Sequence, residues 1–153
     1  FHARYNVIEK EYVYKIWNSE AKNPFMNKLA LQYPYKLDVE ALNIQAQDFV
    51  GTYDFSSFCS SGTDVEDKTR TIYSCGIRRE GDLVIFHVKG DGFLYNMVRI
   101  MVGTLLDINS GKIEKGTIKD IILCKDRKRS GVTAKAEGLY LNEVYYSEQE
   151  VIG

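Results

Sequence analysis

The chain has 153 residues, 44% of them hydrophobic, and a formal net charge of −1. A chain so close to neutral lacks the broad basic surface of a domain that binds nucleic acid by itself. A membrane span needs about 20 consecutive apolar residues, and Asn96, Arg99 and Asp107 interrupt the only candidate run, so we expect a soluble protein. The three cysteines are far apart without a C-x-x-C pair, which indicates neither a disulfide framework nor a zinc site.

The N-terminal part of the chain predicts a strand followed by a helix. Residues 7–18 alternate in polarity, which places Tyr12, Tyr14 and Ile16 on one side of a strand. Asp38 is suited to cap a helix that Gly51 would end. The apolar positions of that helix follow the 3.6-residue period and are Val39, Leu42, Ala46, Phe49 and Val50.

The remaining predicted elements are an extended segment over residues 52–58, a hairpin, two helices and a last strand. Residues 69–79 and 83–89 form a predicted hairpin around Gly81. Residues 93–108 predict a helix that ends near Gly111, followed by a shorter helix over residues 114–123 and a last strand over residues 139–146. This order predicts an α+β fold, with a mixed, mainly antiparallel sheet and helices packed on one face. We treat residues 1–153 as a single domain.

Arg99 stands in the middle of the most apolar stretch of the chain. Apolar residues surround it on nearly every side of the predicted helix, which must therefore be buried. A buried guanidinium keeps its charge and needs a carboxylate, a phosphate or several carbonyls around it. Two interpretations remain open from the pattern alone: a structural ion pair, or a functional site next to the turn formed by Gly90, Asp91 and Gly92.

Motifs of familiar catalytic sites are absent from the sequence. The two histidines, His2 and His87, are far apart, and His87 falls inside a predicted strand. No phosphate-binding loop, metal-ligand cluster or nucleophile elbow occurs. We therefore expect neither a metal nor a cofactor.

Five segments, in the same order along the chain, resemble the C-terminal half of the tRNA pseudouridine synthase A family. They are FHARY (1–5), EYVY (11–14), YDFSSF (53–58), GFLYNMVRIMVG (92–103) and TAKAEGLYL (133–141). The resemblance covers almost the whole chain, and its most specific part is F-x-x-x-M-V-R-x-M-V-G.

This resemblance implies an enzyme that isomerises uridine to pseudouridine in the anticodon stem-loop of tRNA. It further implies a homodimer without cofactor or metal that acts in the cytoplasm. The family's catalytic aspartate lies in an Arg-Thr-Asp-x-Gly motif that this chain lacks, and Asp64 is not a counterpart because it has no such surroundings. We expect the chain to be half of an active site and inactive alone.

Three residues match functional positions of the family. Tyr12 matches the tyrosine that packs against the target base, and we expect its hydroxyl also to assist proton transfer. Arg99 matches the arginine that pairs with the catalytic aspartate, and Leu139 matches a leucine that lines the pocket. Glu11 departs from the family, which often has a basic residue there, and Lys135 replaces a common proline. We expect Arg99 to face an open cleft near Tyr12 and Leu139.

Two alternatives to a catalytic half remain. In the first, the chain is an RNA-binding or dimerisation module without activity. In the second, it is a plain α+β domain in which Arg99 forms a structural salt bridge. The slightly acidic composition weakens the first of these, because a tRNA-binding module should carry more basic surface.

Overall fold

The computed structural model describes the backbone of residues 2–151 and the side chains of residues 9–146. Six strands and three α-helices occur in this part of the chain. The strands are β1 (His2–Trp17), β2 (Leu31–Gln32), β3 (Gly51–Asp54), β4 (Thr69–Glu80), β5 (Leu83–Gly90) and β6 (Leu139–Val151). The helices are α1 (Val39–Ala46), α2 (Met97–Asn109) and α3 (Ile118–Cys124).

The six strands form one mixed, mainly antiparallel sheet in the order β2-β1-β5-β4-β3, with β6 also paired to β1. Only the short β2 runs parallel to its neighbour. The predicted α+β class, with a mainly antiparallel sheet and helices on one face, is confirmed. Strand β2 was not predicted because a two-residue strand leaves no periodic signal.

Strand β1 divides its residues between the two faces of the sheet. Tyr14 and Ile16 are fully buried under the helices, whereas Val13, Lys15 and Trp17 on the opposite face keep partial exposure. The predicted alternation is therefore confirmed. The strand extends back to residue 2, and the side chains of the FHARY segment lie outside the described part of the structure.

Helix α2 is the centre of the core, and ten of its thirteen residues are buried. This agrees with the apolar character that the sequence shows on every side of the helix. The helix begins at Met97 rather than near residue 93, because Asn96 adopts the left-handed conformation, with φ 60°. It ends at Asn109, just before Gly111, which has φ 84°.

In the other two helices, the predicted cap of α1 is confirmed, whereas the end of α1 and the start of α3 differ from the prediction. Asp38 caps α1 by accepting a hydrogen bond from the Ala41 N–H. Helix α1 ends at Ala46 and continues as a short 3-10 helix, Gln47–Phe49, before Gly51. Helix α3 begins at Ile118 and not near residue 114, because Gly116 has φ 78° and donates its N–H to Gln45. No helix in the described part of the chain is long and apolar enough to cross a membrane.

Candidate active-site pocket

A small pocket opens where the start of α2 meets β1 and β6. Its volume is about 120 Å³. Tyr12, Arg99 and Leu139, the three residues selected from the sequence, all line it. The remaining lining residues come from the segment that leads into α2 and from its first turn, and they are Phe93, Leu94, Asn96, Met97 and Val98. The fold thus brings the three residues together, whereas their catalytic and binding roles stay predictions.

Strand pairing explains how two of these residues reach the pocket. Tyr12 and Tyr14 share one face of β1 because they are two positions apart, and Leu139 of β6 is the direct partner of Tyr14. The register between β1 and β6 shifts next to Tyr12, so that Tyr12 pairs with Leu141. Such bulges bend a strand and redirect its side chains.

The ring of Tyr12 is held in place by an aromatic neighbour. Phe93 meets it edge to face, with the ring centroids 5.0 Å apart and an interplanar angle of 83°. This geometry is favourable for aromatic pairs because the positive ring edge faces the negative ring surface. Tyr12 is only partly buried, so part of the ring stays accessible from the pocket.

Arg99 is partly buried and held by two neutral acceptors. Its Nε donates to the Ala134 carbonyl at 2.7 Å, and its Nη1 donates to Asn96 Oδ1 at 3.1 Å. The Ala134 N–H in turn donates to the Arg99 carbonyl at 3.1 Å. Among the side chains of residues 9–146, no carboxylate lies within 4.0 Å of the guanidinium. The structural ion pair, one of the two interpretations of Arg99, is not formed within that part of the chain.

Tyr14 lies beneath the pocket and braces the segment that holds Arg99. Its hydroxyl donates to the Lys135 carbonyl at 2.5 Å. Burial raises the pKa of Tyr14 above its ordinary value, and the positive charge of Arg99 only partly opposes this. Tyr14 therefore stays a neutral donor. Gly138 lets its own segment pack closely against β1, since a Cβ on Gly138 would stand 2.6 Å from the Lys15 carbonyl oxygen.

Glycine also allows α2 to approach the segment that carries Ala134. A Cβ on Gly103 would stand 1.7 Å from the Val132 carbonyl oxygen. The same segment is held by the Gly131 N–H, which donates to Thr104 at 2.9 Å. Arg127, from the basic residues 125–129, donates to the Gly131 carbonyl at 2.7 Å. That arginine therefore supports the loop around the site.

The turn formed by Gly90, Asp91 and Gly92 has a structural role. Asp91 accepts a hydrogen bond from the Thr71 N–H at 2.8 Å and donates its own N–H to the Thr71 carbonyl at 3.0 Å. A Cβ on Gly90 would come within 2.8 Å of the Thr71 carbonyl oxygen. The turn therefore leads the chain from β5 towards α2 and ties the end of β5 to β4 through Thr71, as expected of turn chemistry between a strand and a helix.

The site residues predicted from the sequence did not include Asn96, Phe93 or the Ala134 carbonyl. Asn96 is three residues before Arg99, a spacing that brings two side chains together on a helix, and this signal was available. No such signal exists for a backbone carbonyl 35 residues away.

The site offers a cation beside an aromatic ring, a combination suited to holding an anionic group next to a planar one. Within the described residues no cluster of three or more histidine, cysteine, aspartate or glutamate side chains could hold a metal ion.

Comparison with known proteins assigns the chain to a family. The family described as tRNA pseudouridine synthase matches residues 45–147. The chain is 44% identical over 149 residues to the tRNA pseudouridine synthase A of Geobacillus kaustophilus, covering 97% of this chain and 58% of that protein. It is 48% identical over 146 residues to the enzyme of the same name from Acetivibrio thermocellus, covering 95% of this chain and 60% of that protein.

A third relative, tRNA pseudouridine synthase A of Staphylococcus saprophyticus, is 42% identical over 152 residues, which is 99% of this chain and 57% of that protein. The chain thus spans less than two thirds of the length of these relatives. The family match covers well over half of the chain and includes the residues of α2 and most of β6. The chain belongs to the tRNA pseudouridine synthase family.

Proposed function

We propose that this chain supplies one half of the active site of a tRNA pseudouridine synthase, which converts uridine to pseudouridine in the anticodon stem-loop of tRNA. The observation that carries the proposal is the meeting of Tyr12, Leu139 and Arg99 at one pocket. The relatives, each named tRNA pseudouridine synthase A, support the reaction and the substrate class.

The pocket is suited to a nucleobase that has left its stack. A flipped base loses stacking energy, and an aromatic ring restores part of it. Tyr12 supplies that ring in an orientation set by Phe93, and Leu139 provides an apolar wall. The volume of about 120 Å³ is smaller than the roughly 300–1,000 Å³ of complete ligand sites. We infer that sequence outside this chain completes the enclosure.

Arg99 is the proposed partner of a catalytic aspartate that lies outside this chain. A guanidinium next to a carboxyl keeps it ionised and can bind it through two parallel hydrogen bonds. The aspartate attacks the base or the sugar, the glycosidic bond breaks, and the uracil rotates. C5 then bonds to C1′ of the ribose and the bond to the aspartate breaks. C5 loses its proton and N1, which has lost the ribose, gains one, so the product is an isomer of the substrate. Arg99 and the aspartate act as one unit that stabilises transient charge.

The same proposal includes a homodimer that acts in the cytoplasm. The nearly neutral chain carries few charges in excess, whereas tRNA binding depends on many contacts to phosphates. A second copy, or sequence beyond this chain, would enlarge the surface available for such contacts.

Tritium release from tRNA labelled at C5 of uridine tests the proposal with the full-length protein. We expect release by the wild type and a loss of at least about a hundredfold in Arg99→Lys, because a lysine cannot reproduce the two-pronged geometry of a guanidinium. Arg129→Lys is the matched control, since Arg129 is exposed and does not line the pocket, and it should retain wild-type activity.

Near-wild-type turnover in Arg99→Lys would contradict the role assigned to Arg99. A full-length protein that binds tRNA without releasing tritium would favour the RNA-binding module. The isolated 153-residue chain should give no turnover, and release from it would refute the half-site proposal.

Tyr12→Phe separates the ring of Tyr12 from its hydroxyl. We expect an unchanged KM for tRNA, because the ring remains, and a lower kcat if the hydroxyl takes part in proton transfer. Tyr12→Leu removes the aromatic surface and should raise KM as well. An unchanged KM in Tyr12→Leu would show that the base does not pack on this ring.

A further inference from the structure

Asn96, the residue before α2, has a left-handed backbone conformation that is unusual for a residue other than glycine. It is one of three non-glycine residues with positive φ in the described part of the chain. Residues at this position are normally extended, and an asparagine there normally accepts a hydrogen bond from a backbone N–H of the first helical turn. Asn96 is left-handed and makes no such bond. Unusual backbone conformations of this kind are frequent at functional sites.

The amide of Asn96 is directed to Arg99 instead of the helix backbone. Its Oδ1 accepts from Arg99 Nη1 at 3.1 Å, and its Nδ2 donates to Ser60 Oγ at 3.0 Å. A guanidinium only donates hydrogen bonds, so the amide must present its oxygen. The Ser60 hydroxyl supports this orientation by accepting from the other end of the amide. Ser60 is itself anchored, because its N–H donates to the Tyr95 carbonyl at 3.1 Å.

Two points of attachment define the plane of the guanidinium. The Ala134 carbonyl holds Nε, and Asn96 holds Nη1. Hydrogen bonds at two nitrogens of this planar group hinder its rotation about the bond between Nε and Cζ. Of its five N–H donors, three remain for a ligand, including both on Nη2. A free donor on Nη1 next to those on Nη2 suits a carboxylate, which binds a guanidinium through two parallel hydrogen bonds.

We propose that Asn96 is a positioning residue that orients Arg99, and that Ser60 holds Asn96 in the orientation this requires. The inference rests on the proposed function, because the oriented group is the guanidinium that meets the catalytic carboxylate. Its effect is on the chemical step, since misplacement of a catalytic group by about 1 Å can lower the rate by up to about a hundredfold.

Kinetics of the full-length enzyme test the proposal through three variants. Asn96→Gly removes the amide and keeps the left-handed backbone, which glycine adopts freely. We expect kcat to fall at least about tenfold, while KM for tRNA and the midpoint of thermal unfolding stay near wild type. Ser60→Ala should lower kcat less, and Ser60→Thr, which restores the hydroxyl, should recover most of that loss. Ser61→Ala is the matched control, because Ser61 is exposed.

An NMR measurement reports on the guanidinium directly. In ¹⁵N-labelled wild type, hindered rotation should separate the Nη signals of Arg99, and in Asn96→Gly these signals should merge. The Nε–H signal should persist in both proteins, because Ala134 still accepts from it.

The outcomes distinguish this inference from the proposed function. A wild type that forms no pseudouridine refutes the function and the inference with it. An active wild type, together with wild-type kcat in Asn96→Gly, refutes the inference alone. It is also overturned if kcat falls only together with the unfolding midpoint, or while the Arg99 signals stay unchanged, because Asn96 would then have a purely structural role. If Asn96→Gly does not fold, the pair Ser60→Ala and Ser60→Thr decides by the same criteria.

Discussion

Replacing Gly103 by alanine should destabilise the protein, although helix propensity predicts the opposite. In the interior of a helix, alanine is favoured over glycine by about 1 kcal/mol. A Cβ on Gly103, however, would stand 1.7 Å from the Val132 carbonyl oxygen, whereas ordinary contacts begin at 3.4 Å. The difference between these distances means that the carbonyl would have to move away by about 1.7 Å. A packed segment cannot shift so far without losing packing contacts and hydrogen bonds.

The size of the effect follows from what the displaced segment holds. Overpacking typically costs about 1–3 kcal/mol. The retreat would also weaken the hydrogen bonds from Gly131 to Thr104 and from Arg99 to Ala134, each of which contributes about 1 kcal/mol or more. After subtraction of the gain in propensity, we expect the free energy of unfolding to fall by about 2–4 kcal/mol.

Urea unfolding followed by circular dichroism measures this change, and an unaltered m-value would show that the unfolding transition remains comparable. Gly92→Ala is the control, because a Cβ there would first meet Arg70 at an ordinary 3.6 Å. A Gly103→Ala protein as stable as the wild type, or more stable, would refute the close approach of α2 to the segment that carries Ala134.

Two further predictions concern stability. Ser57→Ala should cost about 2 kcal/mol in urea unfolding, because the buried Ser57 hydroxyl donates to the Ile121 carbonyl at 2.6 Å and accepts from the Asp126 N–H at 2.8 Å; Ser74→Ala, at an exposed position, should change little. Burial, assisted by the charge of Arg78, lowers the pKa of His87 in the folded protein. As the pH decreases through the ordinary histidine pKa of about 6.5, the unfolded chain therefore binds a proton at His87 before the folded protein does, and the free energy of unfolding falls. His87→Gln should weaken that loss between about pH 7.5 and pH 5, and an identical pH dependence in both proteins would contradict it.

The helices show which features a local sequence pattern can predict and which it cannot. The burial of α2 and its end before Gly111 were predicted correctly, because both depend on residues adjacent in sequence. The start of α3 was placed too early, at residue 114. The N–H of Gly116 bonds to Gln45, 71 residues away, and a contact over that separation leaves no local pattern.

In the candidate site, too, some features follow from the local sequence and others depend on tertiary contacts. The sequence marks Arg99 as a charge inside an apolar helix, and the motifs around Tyr12 and Leu139 indicate the family. The supports of the site are tertiary: the Ala134 carbonyl that binds Arg99 and the Lys135 carbonyl that accepts from Tyr14, 121 residues away. Asn96 lies between these cases, since its spacing from Arg99 is local whereas its orientation depends on Ser60.

From its sequence alone, this protein reveals an α+β class, its main strands and helices, its family resemblance and a cation that needs a partner. Periodicity and motifs carry that information because side-chain chemistry is written directly in the chain. Only the tertiary structure decided that the cation is held by two neutral acceptors at the edge of a pocket. Backbone carbonyls are chemically alike in every residue, so the chain must fold before one of them becomes the acceptor for Arg99.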